Sequence, residues 1–289
     1  MTRVSELLAA GRTFSFEFFP PKTDGAQLSL GRAIAELEPL APSFVSVTYG
    51  AGGGDRQRTR EVVTWVRKET SITPMAHLTC QGHRRDEIAT ILDGYRSAGI
   101  ENILALGGDP PTDPADVRPS DYTFAADLID DIEQAQHFST GVAAHPELHP
   151  RSPDRQTDRR HLAAKLRRAD FAITQFFFDA HHYRRLVDEL AALDVHKPVL
   201  PGIMPITNTG QVARMAAMSG TALPPWVLER LDGVDDPAEV RRIGIDIASH
   251  LCAELLDGGA PGLHFYTLNR STATREIYAN LGLGVAGRS

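Results

Sequence analysis

The stretch from Thr13 to Lys22 reads TFSFEFFPPK. It has the aromatic composition and period-two pattern of a β-strand, and its two prolines end the run. It is the first of eight such runs. The others are FVSVTYG (44–50), PMAHLTC (74–80), NILALGG (102–108), TGVAAHP (140–146), FAITQFFF (171–178), PVLPGIMP (198–205) and LHFYTLN (263–269), with FSFEFF (14–19) opening the series. Helical patterns such as REVVTWVRKE, DEIATILDGYRSAG and DAHHYRRLVDELAAL follow the runs, and a further helical segment near 224–256 precedes the last one. Strict strand–helix alternation predicts an α/β fold, a closed parallel (βα)8 TIM barrel with an extra helix or two before the last strand. A doubly wound open sheet is the alternative, and the number of strands favours the barrel. No linker or low-complexity segment interrupts the pattern, so residues 1–289 are expected to form a single catalytic domain.

Composition narrows the function classes. The chain has 30 Lys and Arg against 37 Asp and Glu, a formal net charge of −7, which argues against nucleic acid as a partner. No apolar run reaches the roughly 18 residues of a membrane span. The N-terminal MTRVSELLAAGRTF lacks the apolar core of a secretion signal. Cys80 and Cys252 are the two cysteines, far apart in sequence, so a reducing cytoplasm is the expected location.

In a barrel of this kind the loops after the strands form the active face. Two are long and proline-rich, GGDPPTDPADVRPSD (107–121) and HPELHPRSPDRQTD (145–158). Strand parity then sorts the side chains. Ser15, Glu17 and Phe19 share one face of the first strand, Ser46 and Thr48 one face of the second, His77 and Thr79 one face of the third, and Gln175 joins Ile173 and Phe177 on the sixth. Polar residues therefore gather near strand C-terminal ends on one parity, as a polar site at the barrel mouth requires.

Glu17 is the sharpest signal. A carboxyl buried among aromatics loses solvation, which favours its protonated form and suits a general acid. The plain alternative is a structural ion pair. Asp109, in LALGGDPP, could steady a cationic intermediate or bind a donor-rich ring edge, or simply cap its own turn. Gln175 offers a donor and an acceptor to a heterocycle edge. Arg270, just past the last strand, could bind a carboxylate tail or a phosphate. His77, His145 and His149 invite a metal, but no HExxH, CxxC or acidic cluster accompanies them, so no metal site is expected. The glycine run GAGGG (50–54) could cradle a phosphate at a helix N-terminus, on weak grounds. The segment 151–170 carries six arginines and a lysine against three aspartates, a solvated helix face or a set of phosphate contacts.

Taken in order, SFEFFPPK, FVSVTYGAGG, HLTC, GDPP, VAAHPELHP, ITQFFFD, PGIMPI and HFYTLNR resemble the 5,10-methylenetetrahydrofolate reductase family nearly end to end. The resemblance implies a barrel of one-carbon metabolism that reduces methylenetetrahydrofolate to 5-methyltetrahydrofolate, with NADH or NADPH as hydride donor and FAD as the usual carrier. It makes Glu17 the acid that protonates N10 of the folate. It makes Asp109 and Gln175 pterin contacts and Arg270 a substrate-binding residue. Thr48, His77, Asp158 and Lys165 match positions that bind FAD, and His145 stands beside them where a tyrosine is common.

Three departures bear on the flavin. Gly107 replaces an arginine that contacts FAD, Thr209 replaces a phenylalanine, and the stretch from Lys165 to Ile173 is one residue shorter than usual. A lost cation opposite a diphosphate is a large loss. The expectation is direct hydride transfer from NADH to the folate with no flavin held. The alternatives are the same reaction through bound FAD and a non-catalytic folate- or nucleotide-binding barrel.

Overall fold

The computed structural model describes residues 2–49, 53–109, 113, 115 and 117–283. The first half runs α1 (Val4–Ala10), β1 (Thr13–Phe18), α2 (Asp24–Leu37), β2 (Phe44–Val47), α3 (Gly53–Glu69), β3 (Pro74–Thr79), α4 (Arg85–Ser97), β4 (Asn102–Leu106) and α5 (Ala125–Gln134). The second runs β5 (Ser139–Ala144), α6 (Arg155–Leu166), β6 (Phe171–Phe176), α7 (Ala180–Ala191), β7 (Val199–Ile203), α8 (Thr209–Ser219), α9 (Pro225–Leu231), α10 (Pro237–Asp257), β8 (Gly262–Tyr266) and α11 (Thr272–Asn280). The strands close in chain order, β1 through β8, and β8 returns to pair parallel with β1. The predicted barrel is what forms, and α9 and α10 supply the extra helices before the last strand. The GAG of the predicted glycine run, and residues 110–112, 114 and 116 of the predicted loop after β4, lie outside the described residues.

Side-chain alternation builds two cores. Phe16, Phe18, Val45, Val47, Ala76, Leu78, Ile103, Ala105 and Phe265 point outward and pack under the helices. Phe44, Met75, Leu104, Phe171, Ile173 and Leu200 point inward and fill the barrel. Val4 of α1 joins that inner cluster, and its amide donates to the buried Asn102 Oδ1 at 2.7 Å. The short helix α1, absent from the sequence reading, thus plugs the N-terminal end of the barrel. With one end filled by apolar side chains, polar chemistry is confined to the other. None of the helices among the described residues is long and apolar enough to cross a membrane.

Candidate active site

The inner face becomes polar toward the strand C-termini. Glu17 sits beside Ser46 of β2 and Tyr266 of β8 in register, and is 7% exposed. Its Oε2 lies 3.5 Å from Nε2 of His77 and 3.5 Å from Nε2 of His264. The His264 contact closes a long hydrogen bond, whereas His77 Nε2 is buried and has no hydrogen-bond partner among the described residues. Below Glu17, His264 is fully enclosed, with Nδ1 2.7 Å from Ser15 Oγ and Nε2 3.4 Å from Ser46 Oγ. Burial lowers the His77 pKa to about 4 against the opposing pull of Glu17, so its ring is neutral at physiological pH. Burial, with Glu17 nearby, pushes the Tyr266 phenol well above its ordinary range, and its hydroxyl donates to Thr174 O at 2.7 Å.

One expectation needs correcting. The phenylalanines beside Glu17 in sequence do not surround its carboxyl. Phe14, Phe16 and Phe18 lie on the opposite parity, where Phe16 packs on Phe265 and on Tyr278 of α11 at ring separations of 6.1 and 5.5 Å. The carboxyl is buried, but by imidazoles and hydroxyls. The sequence reading also missed His264, Thr267 and Asn269. Parity in LHFYTLN would have put His264 on the inner face with Tyr266. Thr267 Oγ1 donates to Glu17 O at 2.6 Å, and Asn269 both accepts from Phe19 N at 2.8 Å and donates to Phe19 O at 2.9 Å. Leu268 and Asn269 hold left-handed backbone at φ of 52° and 58° to make this reach. The turn after β8 therefore clamps the backbone on which Glu17 stands.

The other expected residues lie around the rim. Thr48 follows β2, and its carbonyl accepts from Thr59 Oγ1 at 2.8 Å. Asp109 is exposed after β4 and makes no hydrogen bond or ion pair with the described residues. Gln175, half-buried near the end of β6, accepts from its neighbour Phe176 N at 3.0 Å, and its amide nitrogen has no acceptor among the described residues. Arg270 is exposed beyond β8. Glu17 and His77 are brought into direct contact; Asp109, Gln175 and Arg270 stand apart from them on separate strand ends. Among the described residues no group of three or more His, Cys, Asp or Glu could hold a metal ion.

The loop after β5 and the helix α6 form a second polar region. The His145 and His149 rings meet edge to face at 4.5 Å. Burial first, then His149, Lys165 and nearby arginines, lower the His145 pKa to about 3, so this imidazole too is neutral. Lys165 Nζ donates to Ala143 O at 3.2 Å, and burial lowers its pKa. Asp158 is buried, accepts from Ser152 Oγ at 2.9 Å and pairs with Arg159. Arg159 further donates to the carbonyls of His145 and Pro146 at 3.0 and 2.7 Å and to Glu189 of α7 at 2.8 Å. Arg155 also binds Glu189, at 2.8 Å, and Glu147 O, at 2.8 Å.

These contacts test the fit of a flavin. Asp158, Lys165, Arg155 and Arg159, the groups that would grip its polar parts and diphosphate, are already held by one another, by Glu189 and by carbonyls. Arg155 and Arg159 spend these hydrogen bonds on Glu189 and on backbone carbonyls. Of the remaining arginines on this segment, exposed Arg151 donates to Gly108 O at 3.3 Å, and its guanidinium lies 3.7 Å from where a Cβ on Gly107 would stand.

Glu189 is the anchor of that network, and it has a measurable signature. Burial would raise its pKa, but hydrogen bonds from Arg155, Arg159 and Arg185 bring it down to about 2. A carboxyl whose pKa falls on folding adds stability above its unfolded value near 4.5 and loses that stability as pH falls toward about 2. Glu189→Gln should cost about 1–2 kcal/mol at pH 7, after allowance for solvent screening, and less at pH 3. Urea denaturation at the two pH values checks this; equal losses at both would exclude the ionic contribution.

The family model described as methylenetetrahydrofolate reductase matches residues 3–282. The chain is 39% identical over 271 residues to the 5,10-methylenetetrahydrofolate reductase of Escherichia coli (strain K12), covering 93% of this chain and 90% of that one. It is 34% identical over 297 residues to methylenetetrahydrofolate reductase (NADH) 1 of Arabidopsis thaliana, covering 97% of this chain and 50% of that one. Among solved structures, a Clostridium thermocellum protein that binds two copies of 5-methyl-5,6,7,8-tetrahydrofolic acid superposes with a TM-score of 0.70 at 12% identity, covering 95% of this chain and 96% of that one. That last likeness speaks for the fold alone.

Proposed function

The chain belongs to the methylenetetrahydrofolate reductase family of oxidoreductases, and from that premise we propose that it reduces 5,10-methylenetetrahydrofolate to 5-methyltetrahydrofolate with hydride taken directly from NADH or NADPH. The observation that carries the reading is Glu17, a carboxyl buried at the mouth end of β1 between two imidazoles. Glu17 gives its proton to N10 of the folate. The C–N10 bond breaks, and its electron pair stays on nitrogen. The methylene carbon remains on N5 as an iminium and accepts hydride from the nicotinamide, which leaves oxidised. Asp109, an exposed carboxylate on the same rim, opposes the positive charge of the iminium. The amide nitrogen of Gln175 meets an acceptor on the pterin edge, and Arg270 pairs with the glutamyl carboxylates.

Direct transfer is supported by the commitment of Asp158, Lys165, Arg155 and Arg159 to internal partners and by the missing cation at Gly107. The rival reading, the same reaction through bound FAD, has one observation on its side. Arg151 returns a guanidinium to the corner beside Gly107. Gently purified protein distinguishes the two. Direct transfer predicts a colourless protein that oxidises NADH on addition of methylenetetrahydrofolate with no flavin supplied. A yellow protein with a flavin spectrum, or turnover that requires added FAD, would decide for the rival. Tight folate binding with no reduction under any donor would make the chain a binding barrel instead.

A further inference from the structure

If Glu17 is the proton donor proposed above, its one proton must sit on the oxygen that can reach the folate. The two oxygens of its carboxyl are not equivalent. Oε2 has imidazole nitrogens from both His77 and His264 at 3.5 Å. Oε1 makes no hydrogen bond with the described residues. Which oxygen carries the proton then depends on whether the His264 nitrogen facing Oε2 is a donor or an acceptor.

Ser15 decides this. Its hydroxyl has one hydrogen and two candidate acceptors, His264 Nδ1 at 2.7 Å and Leu263 O at 3.4 Å. A hydroxyl also accepts, so the 2.7 Å contact suits either direction; were Nδ1 the donor, the one Ser15 hydrogen would be left with the poor 3.4 Å contact to Leu263 O. With Nδ1 as the acceptor, the ring hydrogen lies on Nε2. That hydrogen is directed between Glu17 Oε2 and Ser46 Oγ, at 3.5 and 3.4 Å. The ring cannot turn away, since it stacks on Phe44 at 6.0 Å and meets the edge of Tyr266 at 5.5 Å. An oxygen that accepts from Nε2–H is the carbonyl oxygen of the acid, and its hydroxyl is the other one.

We infer that His264, its tautomer set by Ser15, is a positioning residue that holds Glu17 Oε2 as an acceptor and so keeps the acid proton on Oε1, the oxygen with no hydrogen-bond partner among the described residues. His77, neutral at physiological pH, puts no competing cation beside the same oxygen. Once the proton has gone to N10, the same Nε2–H stabilises the carboxylate left behind, so His264 serves both states of Glu17.

The test compares Glu17→Gln, His264→Leu, His264→Gln and Ser15→Ala in steady-state folate reduction, with nitrogen NMR of histidine-labelled parent and Ser15→Ala protein. A glutamine amide reaches toward the place of Nε2 and can donate there, whereas leucine fills the volume and cannot. His264→Leu should lower kcat by about 10–100-fold while folate KM changes less than about threefold, the pattern of an interaction made with the reacting group. His264→Gln should recover about tenfold of that loss. The parent His264 should resonate as the Nε2–H tautomer and lose that preference in Ser15→Ala. An unchanged kcat in His264→Leu, a glutamine variant no better than leucine, or an Nδ1–H tautomer in the parent would each overturn the inference. Should His264→Leu fail to fold, the glutamine variant and the tautomer spectrum still decide. Normal turnover in Glu17→Gln is a different failure, since it removes the proton donor itself.

Discussion

Glu17→Gln should leave a folded barrel that binds folate and reduces almost none of it. A glutamine has nearly the volume of the acid and can still accept from His264 with its amide oxygen, so the buried contact survives. What it lacks is an acidic proton. General acid catalysis contributes about 10²–10⁴ in rate, and kcat should fall by that order. The melting temperature should stay within a few degrees of the parent, since no buried partner is left unpaired. Single-turnover mixing with saturating NADH and methylenetetrahydrofolate measures the step directly. Parent-like turnover would mean that N10 takes its proton from another group.

Gly202→Ala should be the most damaging small substitution for stability near the site. Gly202 lies on β7, where the pairing of β6 with β7 shifts register between Ile173 and Phe176. Its amide donates to Thr174 Oγ1 at 2.9 Å. A Cβ there would stand 2.2 Å from Thr174 O and 2.6 Å from the Tyr266 ring. The first is backbone and cannot rotate away. The second is the ring whose hydroxyl donates to that same Thr174 carbonyl. A methyl group must therefore break the Tyr266 bond or force β6 and β7 away from each other. Overpacking of this kind costs about 3 kcal/mol, which lowers the melting temperature by roughly 5 °C in a chain of this size. Calorimetry on the purified variant measures it, and a shift under about 2 °C would show that β7 has slack at this point.

The barrel was legible because its signal is repeated. Eight short aromatic or β-branched runs, each with a helix behind it, leave few other closed arrangements, and one misplaced boundary changes nothing. Glu17 was legible for a related reason, as one charge in an otherwise apolar run. Its surroundings were not. Neighbours in sequence point to opposite faces of a strand, so the phenylalanines that made Glu17 conspicuous are not the groups that touch it. Those come from β3 and β8, and only the register supplies them. The arginines of α6 misled in the same way. Read alone, Arg155 and Arg159 are available cations, but Glu189 of α7, 34 and 30 residues further on, claims both. The helix α1 went unread because seven residues with one buried side chain carry little periodicity.

The clamp on Glu17 also governs when a growing chain acquires a working site. His264 meets Glu17 across 247 residues of sequence, and Thr267 and Asn269 fasten its strand across 250. The carboxyl is made well before the groups that orient it. As the ribosome extends the chain at about 5–20 residues per second, Glu17 waits on an open edge for many seconds. The carboxyl cannot meet His264, nor its strand Thr267 and Asn269, until β8 closes the ring, so a chain cut short before that strand would carry Glu17 without the groups that hold it.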